Sequence, residues 1–92
     1  MDNTAMTVPH EGPWNNSLVA AAGPEVLFRL GLRYCTGQEV PRNLVEAHKW
    51  FNLAAMSGDR RARLYRGEIS REMSPGEIAE AQRQARSWLS SS

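Results

Sequence analysis

Apolar and polar residues follow a helical period along most of the chain from position 24 onward. In the first periodic segment, apolar or small residues recur three, four and seven positions apart, as on one helix face: Leu27, Leu30, Gly31 and Tyr34. Pro24 has no amide hydrogen and suits the first position of a helix, while Gly37 suits its end. We therefore predict a helix from Pro24 to about Cys35.

Two further helices are predicted from their start and stop residues. Asn43 is a good N-cap for a helix over residues 44–57, and Gly58 would end it. Asp59 can cap a third helix, which we expect to run to about Glu72.

The fourth helix has the clearest start. Ser74, Pro75 and Glu77 stand at the N-cap, first and third helical positions, which is the pattern of a capping box. Its expected buried face consists of Ile78, Ala81, Ala85, Trp88 and Leu89. No segment alternates with the period of a strand, so the predicted fold class is all-α.

The first 16 residues show neither the apolar period of a helix nor that of a strand. They contain prolines, a glycine and several polar residues, and we expect a flexible N-terminal arm there, followed by a helical domain over residues 17–90. A turn or two of helix fits residues 17–22. Trp14 is the exception within the arm, because exposing a tryptophan leaves a large apolar area in water. We expect it to pack on the body of the protein or on a partner.

Similar residues recur at intervals of 35 to 38 positions. Gly31 returns as Gly67 after 36 residues, and the run Ala47, Trp50, Phe51 returns after 38 residues as Ala85, Trp88, Leu89. Periods of about 33 to 47 residues are typical of helical hairpin repeats. In such units, small residues such as Gly31 and Ala54 stand where two helix backbones approach closely.

The repeated residues carry a family resemblance. They include Leu30-Gly31-Leu32-Arg33-Tyr34, then Gly37, Val40, Asn43, Ala47, Trp50-Phe51, Ala54-Ala55 and Gly58. This stretch resembles one unit of the Sel-one-like repeat family, a relative of the tetratricopeptide repeat. The resemblance implies a fragment of an α-solenoid of α-α hairpins, with one full unit over about 24–58. Residues 59–90 resemble a degenerate capping unit, which departs from the first at Arg66 and Ser70.

The composition excludes several classes of protein. Eleven basic and ten acidic residues give a net charge of +1, which argues against a protein that coats a polyanion. Cys35 is the single cysteine, so no internal disulfide and no thiolate zinc site can form. The sequence shows neither a secretory signal nor an apolar run of about 20 residues. We expect a cytoplasmic protein that does not enter a membrane.

No arrangement of residues indicates catalysis or a cofactor. His10 and His48 lie far apart, and neither has a histidine or carboxylate at helical spacing for a metal pair. We interpret His48 as a partly buried helix residue and Cys35 as a small half-buried one rather than a nucleophile. The sequence therefore predicts no enzyme, no cofactor and no metal site.

The resemblance implies an adaptor that binds another protein. Phe28 and Leu32 form an apolar stripe that one hairpin cannot cover, and Arg29 and Arg33 lie at its edge. The cover could be the arm through Trp14, a second copy of the chain, or a different protein. We predict a partner-binding surface made by these five residues.

A basic segment offers an alternative surface. Arg60, Arg63 and Arg66 could meet phosphates or an acidic partner. Glu68 follows on the same helix and Tyr65 is the single aromatic residue nearby, so we favour a solvated face over nucleic-acid binding.

Overall fold

The computed structural model describes residues 23–91, which form four α-helices and no strand. These are α1 (Pro24–Thr36), α2 (Leu44–Met56), α3 (Arg60–Ser70) and α4 (Pro75–Ser91). The all-α prediction is confirmed, and the helices begin and end close to the predicted positions. The expected arm over 1–16, its Trp14 and the helical turns expected over 17–22 lie outside the described residues.

The predicted N-cap residues cap the first turns of the helices. The Asn43 Oδ1 accepts the Glu46 amide at 3.1 Å, and the Asp59 Oδ1 accepts the Ala62 amide at 3.2 Å. The capping box of α4 is reciprocal. The Ser74 amide donates to the Glu77 carboxylate at 2.8 Å, and the Glu77 amide donates to the Ser74 hydroxyl at 3.1 Å. Each cap satisfies amides that have no partner within the helix.

The connections are short and end in defined turns. Gly37 has a φ of 80°, in the left-handed region, and its amide donates to the Arg33 carbonyl at 2.7 Å. The α3 helix ends two residues before the predicted Glu72. There the amides of Arg71, Glu72 and Met73 donate to carbonyls three residues back, which tightens the chain into a turn.

The α2 helix is the centre of the fold, because each of the other three packs against it. It is buried on most of its circumference, through Ala47, His48, Lys49, Trp50, Phe51, Leu53 and Ala54. By contrast, α3 and α4 make little contact with one another, although they are neighbours in the chain. The second pair of helices is therefore not a closed hairpin like the first.

Helices α1 and α2 pack tightly at Gly31. A Cβ built on Gly31 would lie 2.4 Å from the Cδ1 and Cε1 atoms of Phe51, so the ring occupies the space of the missing side chain. Both residues are buried, and Phe51 has no exposed surface. The expected close contact at Gly31 is confirmed.

Replacing Gly31 with alanine should destabilise the fold by about 1–2 kcal/mol. The added methyl forces the buried Phe51 ring to move, and overpacking of this kind outweighs the better helix propensity of alanine. Urea denaturation followed by circular dichroism measures the change. Gly67→Ala is the matched control, because a Cβ there meets nothing within 4 Å. It should stabilise the protein by about 0.5–1 kcal/mol, and equal effects of the two substitutions would contradict the argument.

Candidate functional site

The apolar stripe predicted on α1 is already covered within the chain. Phe28 is only 4% exposed. Its ring lies 5.8 Å from the Phe51 ring of α2 and meets the Tyr65 ring of α3 edge-on at 5.4 Å, both measured between centroids. The Arg61 guanidinium lies 4.1 Å from the Phe28 ring centroid. The expectation that Phe28 is open to a partner is wrong, because α3 folds over it.

Arg61 holds α3 in this position. Its guanidinium lies 2.9 Å from an Asp59 carboxylate oxygen and 2.5 Å from an oxygen of Glu25 on α1. Hydrogen bonds to Asp59 and Glu25 raise the pKa of Arg61, and the same bond lowers the pKa of Glu25. No sequence pattern indicates this ion pair, because Glu25 and Arg61 are 36 residues apart.

The other residues of the predicted α1 surface remain near the surface. Leu32 is half-buried, while Arg29 is exposed and pairs with Glu25 at 3.1 Å. Arg33 is half-buried and forms an ion pair with Glu39 in the following loop. Without Phe28, this surface has one half-buried leucine between paired arginines.

The predicted basic face on α3 divides into two parts. Arg60 and Arg63 are exposed. Arg66 is half-buried, and its guanidinium donates to the side-chain amide oxygen (Oδ1) of Asn52 on α2 at 2.6 Å. The three arginines therefore do not form one open basic surface, because Arg66 connects α3 to α2.

A different set of residues forms the open side of α3. Leu64 is 68% exposed, the most exposed large apolar residue of the described chain. Gly67 lies one turn further along, and the space beside it is empty to 4 Å. We call Arg60, Arg63, Leu64 and Gly67 the outer face of α3. Spacings of three and four residues place them on one side of the helix. Sequence reasoning had not singled out Leu64.

The outer face stays open because α4 packs elsewhere. The Trp88 ring lies against the Trp50 ring of α2, with centroids 5.7 Å apart and planes at 79°. Leu89, expected to be buried, is 46% exposed. With α4 held on α2, no residue of α4 contacts Gly67 as Phe51 contacts Gly31.

The side of α2 near Trp50 buries a charged pair. Lys49 is 4% exposed, and its Nζ lies 3.0 Å from a Glu46 carboxylate oxygen and 4.5 Å from the Trp50 ring centroid. The same Glu46 oxygen accepts the Trp50 indole N–H at 3.0 Å. One carboxylate thus satisfies two donors, which fits a structural role.

His48 is more deeply buried than expected, at 2% exposure. Its Nδ1 has no hydrogen-bond partner among the described residues. Burial, followed by the nearby positive charge of Arg66, lowers the pKa of His48. The side chain is therefore held in its neutral form at neutral pH.

Cys35 shows no sign of activation. It is half-buried, and burial raises the pKa of its thiol, which reduces the thiolate fraction. Among residues 23–91, no three acidic, histidine or cysteine side chains are grouped so that they could hold a metal ion. Within the same range, no helix combines the length and the apolar character needed to cross a bilayer.

A helical hairpin closed through a glycine, with a third helix laid across it, defines an α-helical repeat unit. The Sel1 repeat family model matches residues 24–59, which contain α1, α2 and the N-cap of α3. This stretch therefore matches a Sel1-like repeat, which confirms the resemblance seen in the sequence of these residues. Repeats of this family are non-enzymatic and generally mediate protein–protein interactions. Neither the curated proteins nor the solved structures give a match.

Truncating Phe28 should destabilise the fold strongly, whereas truncating Leu64 should have little effect on stability. Phe28→Ala removes a buried ring and is expected to cost about 3–5 kcal/mol, whereas Leu64→Ala should stay within about 0.5 kcal/mol of the parent. Thermal and urea unfolding of the two variants measure the difference. A mild effect of Phe28→Ala would show that α3 does not cover α1 in solution.

Stability should fall as the pH drops below about 6.5, the ordinary pKa of histidine. Between that value and the lower folded pKa of His48, the unfolded chain binds a proton that the folded chain does not. The slope should therefore be positive with pH, at most about 1.4 kcal/mol per pH unit from this group. In His48→Leu this dependence of stability on pH should disappear between about pH 6.5 and 5. The carboxyl groups with lowered pKa values, those of Glu25, Asp59 and Glu80, change stability only at more acidic pH. An unchanged slope in that variant would contradict the assignment.

Proposed function

We propose that the chain is an adaptor that binds another protein through the outer face of α3. The observation that carries this proposal is the exposure of Leu64, at 68% of its surface. On α3 only Ala62 and Ile69 are buried, so most of this helix faces away from the body. An exposed apolar residue beside unpaired charges is the arrangement of an interface centre with a polar rim.

The repeat architecture supports the same function. Helical repeats bury their faces by stacking against neighbouring helices, and a face without such a neighbour stays in contact with water. In this chain Phe28 of α1 is covered by the next helix, through Tyr65 and Arg61. Leu64 stands 36 positions after Phe28 and has no such cover. A protein partner would fill the place of the missing neighbour.

The proposal also includes the predicted α1 surface, without Phe28. Arg29, Leu32 and Arg33, with Trp14 from the arm, could add contacts for a partner, whereas Phe28 is withdrawn because it is buried. We also propose a cytoplasmic location, which the single cysteine and the lack of an internal disulfide support.

Nucleic-acid binding has less support than a protein partner. Tyr65 is 41% exposed, but its ring packs against the rings of Phe28 and Phe51, which leaves less of it to stack on a base. Arg66 is engaged with Asn52, which leaves two open arginines for phosphates on α3. A strongly salt-dependent affinity for DNA or RNA would reverse this preference.

Substituting the outer face should remove the partner without unfolding the chain. Full-length protein, with Leu64→Glu or with Arg60→Glu and Arg63→Glu together, is used for affinity purification with quantitative mass spectrometry. Proteins bound by the parent chain should be lost from both variants, because one places a charge in the apolar centre and the other reverses the rim. Arg86→Glu, an exposed arginine on α4, is the matched control and should retain them.

Retention of the same proteins by Leu64→Glu would contradict the assignment to α3. Their loss from Leu32→Ser alone would move the surface to α1.

A further inference from the structure

We propose, on the basis of the function above, that the partner contributes a helix with an aromatic side chain over Gly67. Carboxylates of the same helix would pair with Arg60 and Arg63. The proposal specifies the chemistry of the partner: an acidic, amphipathic helix with one aromatic anchor.

The first argument is the way this fold already uses a helical glycine. At Gly31 the missing Cβ leaves room for the Phe51 ring, which lies 2.4 Å from the position that a Cβ would take. Gly67 stands 36 residues later, in α3, and no atom lies within 4 Å of its would-be Cβ. The missing side chain therefore leaves open space on the outer face of α3, and no described side chain lies in it. We call this open space the Gly67 recess.

The chain does not fill this recess with its own fourth helix. Leu89 stands 38 residues after Phe51 in the repeat pattern, but α4 packs on α2 through Trp88 and Trp50. Closing α4 onto α3 would break that tryptophan contact. The geometry favours a helix from outside over a rearrangement of α4.

The second argument is charge. Arg60 and Arg63 form no ion pair with any described carboxylate. Of the acidic residues on α3 and at its N-cap, Asp59 pairs with Arg61, and Glu68 lies 3.8 Å from Arg71. Arg63 is about one turn and Arg60 about two turns before Gly67. Carboxylates one and two turns from the aromatic residue of the incoming helix would meet them. Partly desolvated pairs of this kind add specificity to an apolar contact.

A second copy of the chain fits this face poorly. The α3 helix has 11 residues, which is roughly 16 Å of length, and it offers Leu64 as its single strongly exposed apolar side chain. Specific dimers bury about 1,600 Å² in total, far more than two such short faces provide. Among the described aromatic residues, Phe28, Trp50, Phe51 and Trp88 are buried and Tyr34 is half-buried. Tyr65 is 41% exposed, but its ring packs against the rings of Phe28 and Phe51 and is not extended toward another copy. We therefore assign the occupant to a different protein.

The test is photo-crosslinking from the outer face. A benzoylphenylalanine replaces Glu68 in the full chain within cells of the source organism, and crosslinked peptides are sequenced by mass spectrometry. The expected product is a segment of another protein with an acidic helical pattern and one aromatic residue. Gly67→Leu should lower its yield by about tenfold or more by filling the recess. Ser87→Leu, at an exposed position of α4, should leave the yield unchanged.

Folding does not confound this comparison. The space beside Gly67 is open and leucine favours a helix more than glycine does, so Gly67→Leu should keep the helical circular dichroism and melt at or slightly above the temperature of the parent chain. Loss of crosslinking in Gly67→Leu with an intact fold would support binding of the partner at Gly67.

The two proposals fail in different ways. If position 68 crosslinks to no other protein, but only to residues 1–22, α4, a second copy or nucleic acid, the proposed function fails. Position 68 could instead crosslink to another protein whose yield Gly67→Leu does not change, or whose captured segment lacks the aromatic residue and the carboxylates. Either result would contradict the acidic helix with an aromatic anchor and leave the proposed function intact.

Discussion

The fold depends on the contact between the Phe51 ring and the bare backbone of Gly31. Because α1 has no side chain at that point, the ring reaches the space that a Cβ would fill, and the two helices approach closely. The approach brings Phe28 of α1 beside Phe51, and Tyr65 of α3 packs against both rings. Three helices thus meet in one aromatic cluster. The glycine costs helix stability of about 0.5–1 kcal/mol relative to alanine, and packing of the aromatic rings offsets this cost.

A second consequence is that α2 serves two sets of neighbours. Its Phe51 side faces α1 and α3, and its Trp50 side faces α4. A helix enclosed in this way has little room for solvated side chains, yet it carries Lys49 and His48 in the interior. The structure accommodates Lys49 by pairing it with Glu46 and placing it near the Trp50 ring. It accommodates His48 by keeping it neutral, which makes stability sensitive to pH.

Features encoded locally could be predicted from the sequence, and features set by distant contacts could not. The caps at Asn43, Asp59 and Ser74 depend on residues three positions away, and each lies where the sequence placed it. The role of Gly31 followed from its helical spacing. The cover over Phe28 did not, because it depends on residues of α3 that lie more than thirty positions away. For the same reason the sequence identified basic residues on α3 without separating Arg66, which turns inward, from Arg60 and Arg63.

One side of α3 is open because α4 packs on α2 and not on α3. Repeat symmetry alone would place α4 against α3, with its residue at position 89 over Gly67. The tryptophan pair between α2 and α4 offers a larger apolar contact than a leucine over a glycine could, so α4 goes to α2. Gly67 then weakens α3 without any compensating contact in the described chain, and Leu64 remains in water. The uncompensated glycine and the exposed leucine lie on one face of one helix, and a single incoming helix could pack against both. That coincidence is the physical reason why we propose α3 as the partner-binding helix.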